Sequence, residues 1–135
     1  YDISKNHVIP ALIKKMHAAK ISNENEVVLW GSGEVKREFI YIDDMANGIL
    51  HILKNYKMNG PINLGTGLEI SIKNLASQIA EIVDYNGKII FDNTKPDGIE
   101  RKILDSSKVN TLGWSFSTNL KDGLMLTYKD YLSTI

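Results

Sequence analysis

Stretches of helical periodicity alternate with short runs of strand periodicity along this chain, and this alternation limits the fold more than any other feature. Apolar residues recur at helical spacing in several stretches, which predict helices over 8–20, 45–55, 72–84 and 119–132 and a short one from 106. Short apolar runs bounded by Gly, Pro or Asp predict strands over 27–30, 38–42, 62–64, 88–91 and 102–104. Such an alternation is typical of an α/β fold.

Polar residues that cap helix N-termini stand where these helices are predicted to begin. Asn6 or Ser4 is expected to cap the first helix, and Asp43 or Asp44 the second. Ser71 is expected to cap the third helix in the same way. The second helix is expected to turn four apolar side chains inward, namely Met45, Ile49, Ile52 and Leu53.

The composition excludes several classes of function. The 135 residues are 43% hydrophobic with a formal net charge of zero, which fits one domain and offers no basic field to nucleic acid. No apolar run reaches the length of a membrane span, and the first residues carry no signal-peptide pattern, so we expect a cytoplasmic protein. The chain has no Cys, and its three His lack acidic partners at ligand spacing, so no metal site is expected.

The run from residue 30 to residue 44 is the most specific part of the sequence. It places Arg37 between a glycine turn and a predicted strand, with Trp30 seven residues earlier. A guanidinium group binds phosphate oxygens through two parallel hydrogen bonds, and it stacks on flat rings. Arg37 and Trp30 are therefore candidates for binding a phosphorylated ligand. The alternative is that Arg37 pairs with Glu34, with Glu38 or with another neighbouring acid.

The start of the chain suggests that residues are missing before it. The chain begins at Tyr1 without an initial Met, and no strand–glycine–helix unit follows. Several of the predicted strands are too short and too scattered to close a sheet among themselves. We therefore expect this chain to be the back half of a longer protein.

Several motifs, taken in order, resemble one enzyme family. They occupy residues 6–13, 28–33, 37–46, 63–67, 95–98 and 101–105. Together they resemble GDP-L-fucose synthase, an extended short-chain dehydrogenase/reductase, from His7 to about Tyr131. The Arg-x-Phe-x-x-x-Asp-Asp and Asn-x-Gly-x-Gly pieces are typical of the extended group, whereas the Asn-His-Val-Ile-Pro-Ala-Leu and Lys-Pro-Asp-Gly pieces favour this particular family.

The resemblance implies that residues 1–135 are the C-terminal, substrate-binding region of an α/β enzyme whose Rossmann unit lies upstream. It implies an enzyme that epimerises GDP-4-keto-6-deoxy-D-mannose at C3 and C5 and then reduces the C4 ketone with NADPH, which gives GDP-L-fucose. The upstream half would bind most of the NADP and supply the catalytic Ser, Tyr, Lys and Cys. This chain alone is therefore expected to be inactive, and the full-length enzyme is expected to be a homodimer.

The resemblance also assigns roles to six residues. His7 matches the histidine that moves protons during epimerisation and that contacts NADP; imidazole exchanges protons near neutral pH. Lys15 stands where the family usually has Arg, and it lies roughly 12 Å from His7 on the same face of the first helix. The substrate-binding positions of the family fall on Lys15, Trp30, Arg37, Asp97 and Lys102.

Two further patterns have ordinary structural explanations. Gly65-Thr66-Gly67 lacks the third glycine of a dinucleotide-binding motif, and we interpret it as a strand-to-helix turn. Asp43 and Asp44 are adjacent, so helix capping explains them better than a metal site or an acid pair. Two alternative functions stay open at this point: an extended reductase or epimerase for another nucleotide sugar, and a nucleotide-sugar-binding module without catalytic activity.

Overall fold

The computed structural model describes residues 7–135, so the caps expected at Ser4 and Asn6 lie outside the described residues. The helices are α1 (Val8–Ile21), α2 (Ile42–Asn55), α3 (Ile72–Val83), α4 (Ser107–Thr111) and α5 (Leu120–Ser133). The strands are β1 (Glu26–Trp30), β2 (Lys36–Glu38), β3 (Glu69–Ser71), β4 (Lys88–Asp92) and β5 (Arg101–Lys102). The expected mixed α/β architecture is confirmed.

The strands form two small sheets. In the first, β1 and β4 run parallel, with Val28 opposite Ile90 and Trp30 opposite Asp92. In the second, β2 lies between β3, which is antiparallel to it, and β5, which is parallel to it. The central strand β2 therefore pairs with two segments that lie about 30 and about 65 residues further along the sequence.

The core lies where α1 and α3 pack against each other, with β1 and α5 beside them. Its best buried side chains are Ile13 and Met16 of α1 and Leu75, Ile79 and Val83 of α3. Full burial of such a side chain contributes about 1.5–3 kcal/mol. This core fixes α1 against β1, the two elements that carry several of the candidate site residues.

The local signals for α3 are confirmed. The hydroxyl oxygen of Ser71 accepts a hydrogen bond from the Asn74 N–H at 3.2 Å, which caps the helix as expected. The helix ends at Val83, and Asp84 follows in the left-handed conformation at φ 60°. The sequence had predicted one more helical residue at this end.

Two predicted strands are wrong. The strand expected over 38–42 covers Lys36–Glu38 instead, because residues 39–41 lead directly into α2. The run over 62–64 has strand-like composition but forms no strand in the described part of the chain. None of the strands in residues 7–135 pairs with them, and they lie in the loop between α2 and β3.

Asp44 lies in the first turn of α2 rather than at its cap, and its side chain is buried with 4% exposure. The position before the helix is Tyr41, whose side chain makes no capping bond. The Asp44 carboxylate accepts hydrogen bonds from the Ser117 N–H at 3.0 Å, the Ser117 hydroxyl at 2.7 Å and the Thr118 N–H at 2.8 Å. Burial disfavours the charged form, but these hydrogen bonds outweigh it and lower the pKa of Asp44.

Replacement of Asp44 by Asn is expected to lower the free energy of unfolding of this chain by about 2 kcal/mol at pH 7, because hydrogen bonds to a buried charged acceptor are lost. The folded-state pKa is lowered, so this stabilisation is present above the unfolded-state pKa of about 3.9 and is lost as the pH falls through the folded-state pKa. Urea unfolding at pH 7 and at pH 3 measures the difference. An equal deficit for Asp44→Asn at both pH values would contradict this assignment.

The apolar face of α2 is only partly buried, which corrects the expected inward face of this helix: Met45 and Ile52 are half-buried, whereas Ile49 and Leu53 are exposed. Ile49 is 49% exposed and Leu53 is 71% exposed, while the buried positions of α2 are Asp44 and Gly48. A Cβ at Gly48 would lie 2.6 Å from the Leu64 side chain, so α2 packs closely against Leu64 at its glycine.

None of the helices in residues 7–135 has the length and the apolar character that a membrane span requires.

Candidate functional site

Two turns meet at the end of the first sheet. The Asp97 carboxylate accepts a hydrogen bond from the Ser32 N–H at 2.9 Å, which joins the turn after β1 to the turn after β4. Gly31 has a φ of 83°, and a Cβ there would lie 2.4 Å from Asp97 Oδ1. Hydrogen bonding from Ser32 lowers the pKa of Asp97. The glycine turn after Trp30 therefore has its conformation fixed by a carboxylate from a distant segment.

Two cations face each other in the second sheet, beside these turns. Arg37 of β2 and Lys102 of β5 are register partners on parallel strands. A Cβ at Gly98 would lie 3.1 Å from Arg37 Nη2, so the guanidinium group lies directly against the turn that carries Asp97. The other terminal nitrogen, Nη1, donates to the Lys36 carbonyl at 2.6 Å.

The neighbouring cation pair is neutralised, and the pair Arg37 and Lys102 is not. Lys36 and Arg101 are also register partners, and Glu69 accepts from both, at 3.1 Å from Lys36 and 2.5 Å from Arg101. Within residues 7–135, neither Arg37 nor Lys102 forms an ion pair with a carboxylate. Like charges directly opposite each other are unfavourable, so this pair gains from an anion that binds between or beside them.

The ordinary explanation of Arg37, pairing with Glu34 or Glu38, is not what the structure contains. Glu34 lies 3.8 Å from the Lys73 ammonium, and Glu38 accepts hydrogen bonds from Thr66, Gly67 and Leu104. Both acids are therefore occupied elsewhere.

Trp30 is 76% exposed at the end of β1. The Lys95 ammonium lies 5.7 Å from the centre of its ring, within the range of a cation–π interaction. Sequence reasoning assigned no role to Lys95, because nothing in a single sequence indicates that the turn at 95–98 lies beside the end of β1. The contact of Ser32 with Asp97 was missed for the same reason, and Glu38 was considered only as a partner of Arg37.

Lys15 lies on α1, and His7 is the residue directly before this helix. The exposed Lys15 side chain donates from Nζ to the carbonyl of Val28, on the strand that carries Trp30. His7 is exposed at the N-terminal end of the helix, and its side chain makes no capping hydrogen bond. The imidazole of His7 therefore does not cap α1.

The structure therefore brings four of the six candidate residues into one continuous cluster. Trp30 precedes the glycine turn that Asp97 binds. The turn that carries Asp97 contacts Arg37 through Gly98, and Arg37 is the register partner of Lys102. Lys15 is not one of these four, but its Nζ donates to the Val28 carbonyl on β1, the strand that ends at Trp30. His7 lies a little over two helical turns before Lys15, at the N-terminal end of α1.

The glycine turn at 65–67 lies in the loop between α2 and β3, so its interpretation as a strand-to-helix turn is wrong. The Gly67 N–H donates to the Glu38 carboxylate at 2.8 Å, so this backbone donor is already hydrogen-bonded within the protein and is not free to bind a phosphate. Among the described residues, no three His, Asp or Glu side chains come together in a way that could hold a metal ion.

Comparisons with known proteins show which proteins this chain is similar to. Residues 1–65 match the model of the NAD dependent epimerase/dehydratase family. The chain is 43% identical over 130 residues to "GDP-L-fucose synthase 1" of Arabidopsis thaliana, covering 96% of this chain and 40% of that protein. It is 41% identical over 138 residues to "GDP-L-fucose synthase" of Escherichia coli, covering 96% of this chain and 43% of that protein.

A solved structure shares the fold. The crystal structure of a GDP-L-fucose synthetase from Naegleria fowleri bound to NADP superimposes with a TM-score of 0.87 at 29% identity, covering 96% of this chain and 41% of that one. The chain thus spans about two fifths of the length of the relatives it matches.

Proposed function

Since this chain belongs to the NAD dependent epimerase/dehydratase family, we propose that it is the C-terminal, substrate-binding part of an NADP-dependent enzyme that converts GDP-4-keto-6-deoxy-D-mannose to GDP-L-fucose. The observation that carries the proposal is the pair Arg37 and Lys102, two cations opposite each other without a carboxylate partner among residues 7–135. A diphosphate group supplies the negative charge that such a pair requires.

The remaining cluster residues fit the other parts of a GDP-sugar. Trp30 offers an exposed indole on which a guanine base stacks. Asp97 uses Oδ1 to bind Ser32, which leaves Oδ2 to accept from a donor of the ligand. Lys15 of α1 adds a cation beside β1, the strand that ends at Trp30.

His7 is assigned the proton transfers of the epimerisation. The protons at C3 and C5 of the sugar are acidic because both carbons lie beside the C4 ketone, and an imidazole removes and returns them near neutral pH. His7 is suited to this because its side chain is exposed and makes no capping bond. This assignment requires the sugar to reach His7, at the start of α1, while the diphosphate is bound at Arg37 and Lys102.

NADPH, when bound, supplies the hydride that reduces the C4 ketone. Of the described residues, we assign only His7 to contact with the cofactor, since the turn at 65–67 lacks the third glycine of a dinucleotide cradle and uses its Gly67 N–H internally. Most of the cofactor site then belongs to the rest of the enzyme. We further propose that residues 1–135 form one substrate-binding region of a cytoplasmic homodimer.

The experiment is an NADPH-oxidation assay on the full-length protein with GDP-4-keto-6-deoxy-D-mannose, and with the matching UDP and dTDP sugars. We expect oxidation with the GDP-sugar and formation of GDP-L-fucose, and we expect no oxidation by residues 1–135 alone. A preference for another nucleotide would favour a related reductase or epimerase. Binding of GDP-sugar without any turnover by the full-length protein would favour the non-catalytic module.

A further inference from the structure

Glu38 connects the strand that carries Arg37 to two other segments. Its Oε1 accepts hydrogen bonds from the Gly67 N–H at 2.8 Å and from the Thr66 hydroxyl at 3.3 Å. Its Oε2 accepts from the Leu104 N–H at 2.7 Å. One carboxylate therefore links β2, the loop ahead of β3 and the chain just beyond β5.

This link matters because β5 is short. The strand has two residues, and its pairing with β2 places Lys102 opposite Arg37. A ladder of this length has few hydrogen bonds, so it fixes the separation of the two strands weakly. Leu104 follows Lys102 closely and Glu38 follows Arg37 directly, so the Glu38–Leu104 bond holds both strands immediately beyond the two cations.

The neighbouring backbone leaves room for this carboxylate. A Cβ at Gly65 would lie 2.3 Å from Glu38 Oε1. The backbone of Gly65 is outside the left-handed region, so alanine can adopt its conformation. The added methyl group of alanine would instead collide with the Glu38 carboxylate and displace it. The glycine is needed for the position of the Glu38 carboxylate.

We propose that Glu38 is a positioning residue that holds Arg37 and Lys102 at the separation that a bound diphosphate group requires. This rests on the proposed function, since it needs a diphosphate ligand at the two cations. Glu38 acts through its neighbours, because its hydrogen bonds go to protein donors. Glutamine cannot replace it, since a carboxamide has one oxygen to accept with and would turn N–H groups toward an N–H donor.

The test measures GDP binding by calorimetry and guanosine binding by NMR titration on the full-length protein. For Glu38→Gln we expect the dissociation constant of GDP to rise about tenfold and that of guanosine to stay within about twofold. Gly65→Ala is expected to show the same pattern, because it displaces an unaltered Glu38 side chain. Glu81→Gln is the matched control, since it removes an exposed carboxylate that pairs with Lys121.

A double-mutant cycle separates positioning from general destabilisation. If Glu38 acts by placing Lys102, the effect of Glu38→Gln on GDP affinity shrinks in a Lys102→Ala background. Thermal unfolding is recorded for each variant, and if Glu38→Gln does not fold, Gly65→Ala decides the question.

Two results would overturn the proposal: unchanged GDP affinity in folded Glu38→Gln or Gly65→Ala protein, or equal losses for GDP and guanosine. Two other results would contradict the proposed function itself: wild-type protein that does not bind GDP, or an Arg37→Ala variant that binds GDP with wild-type affinity.

Discussion

Replacement of His7 by Gln in the full-length protein is expected to lower solvent-deuterium incorporation at C3 and C5 of the sugar by about 10²- to 10⁴-fold, the usual contribution of a general acid–base group. Glutamine keeps much of the side-chain volume but cannot cycle a proton. The imidazole makes no capping bond to α1, so its loss should leave the helix intact. Mass spectrometry of the sugar after incubation in deuterium oxide measures the exchange.

His17→Gln is the matched control, because His17 lies on the same helix and contacts the Tyr128 hydroxyl at 3.0 Å instead of a ligand. It should exchange deuterium at the wild-type rate, and both variants should retain NADPH binding. If His7→Gln also exchanged at the wild-type rate, His7 would have no part in proton transfer and the match to the family histidine would be misleading.

Replacement of Arg37 by Ala in the full-length protein is expected to raise the KM for the GDP-sugar by about 10- to 100-fold, the loss that follows from removing charge-assisted hydrogen bonds to a diphosphate. The dissociation constant of NADPH should change little, because we assign most of the cofactor site to the rest of the enzyme. Initial-rate kinetics and a separate NADPH titration measure the two quantities.

Arg101→Ala provides the comparison, since Arg101 lies in the same sheet but is neutralised by Glu69. Its removal should leave the KM within about twofold, as expected for an exposed ion pair. A KM for Arg37→Ala that stayed within that same range would return Arg37 to a structural role.

Features set by local sequence were predictable, and α3 illustrates this. Ser71 caps this helix, and the spacing of the apolar residues of α3 gives it a buried face that includes Leu75 and Ile79. Both features depend only on residues that are close together in the sequence. The boundary between β2 and α2 was not predictable in the same way. The apolar residues after Glu38 suit a strand, but β2 ends at Glu38 and residues 39–41 lead into α2, which begins at Ile42.

Features set by distant segments could not be seen in the sequence. Asp44 looked like a helix cap, because its partners Ser117 and Thr118 lie more than 70 residues away. The apolar face of α2 correctly indicated a helix, but it could not indicate that Leu53 is exposed in this part of the chain.

The candidate site divides in the same way. The motifs identified Trp30, Arg37, Asp97 and Lys102, and the structure brings these four together. The contact of Lys95 with the indole depends on how two separate turns meet, and no local pattern encodes it.

A crystal structure of the full-length protein with GDP tests the central claim most directly. We predict diphosphate oxygens within about 3 Å of Arg37, with Lys102 on the same group and the base against Trp30. A GDP molecule whose diphosphate lies away from both Arg37 and Lys102 would contradict the assignment of this cluster as the diphosphate site.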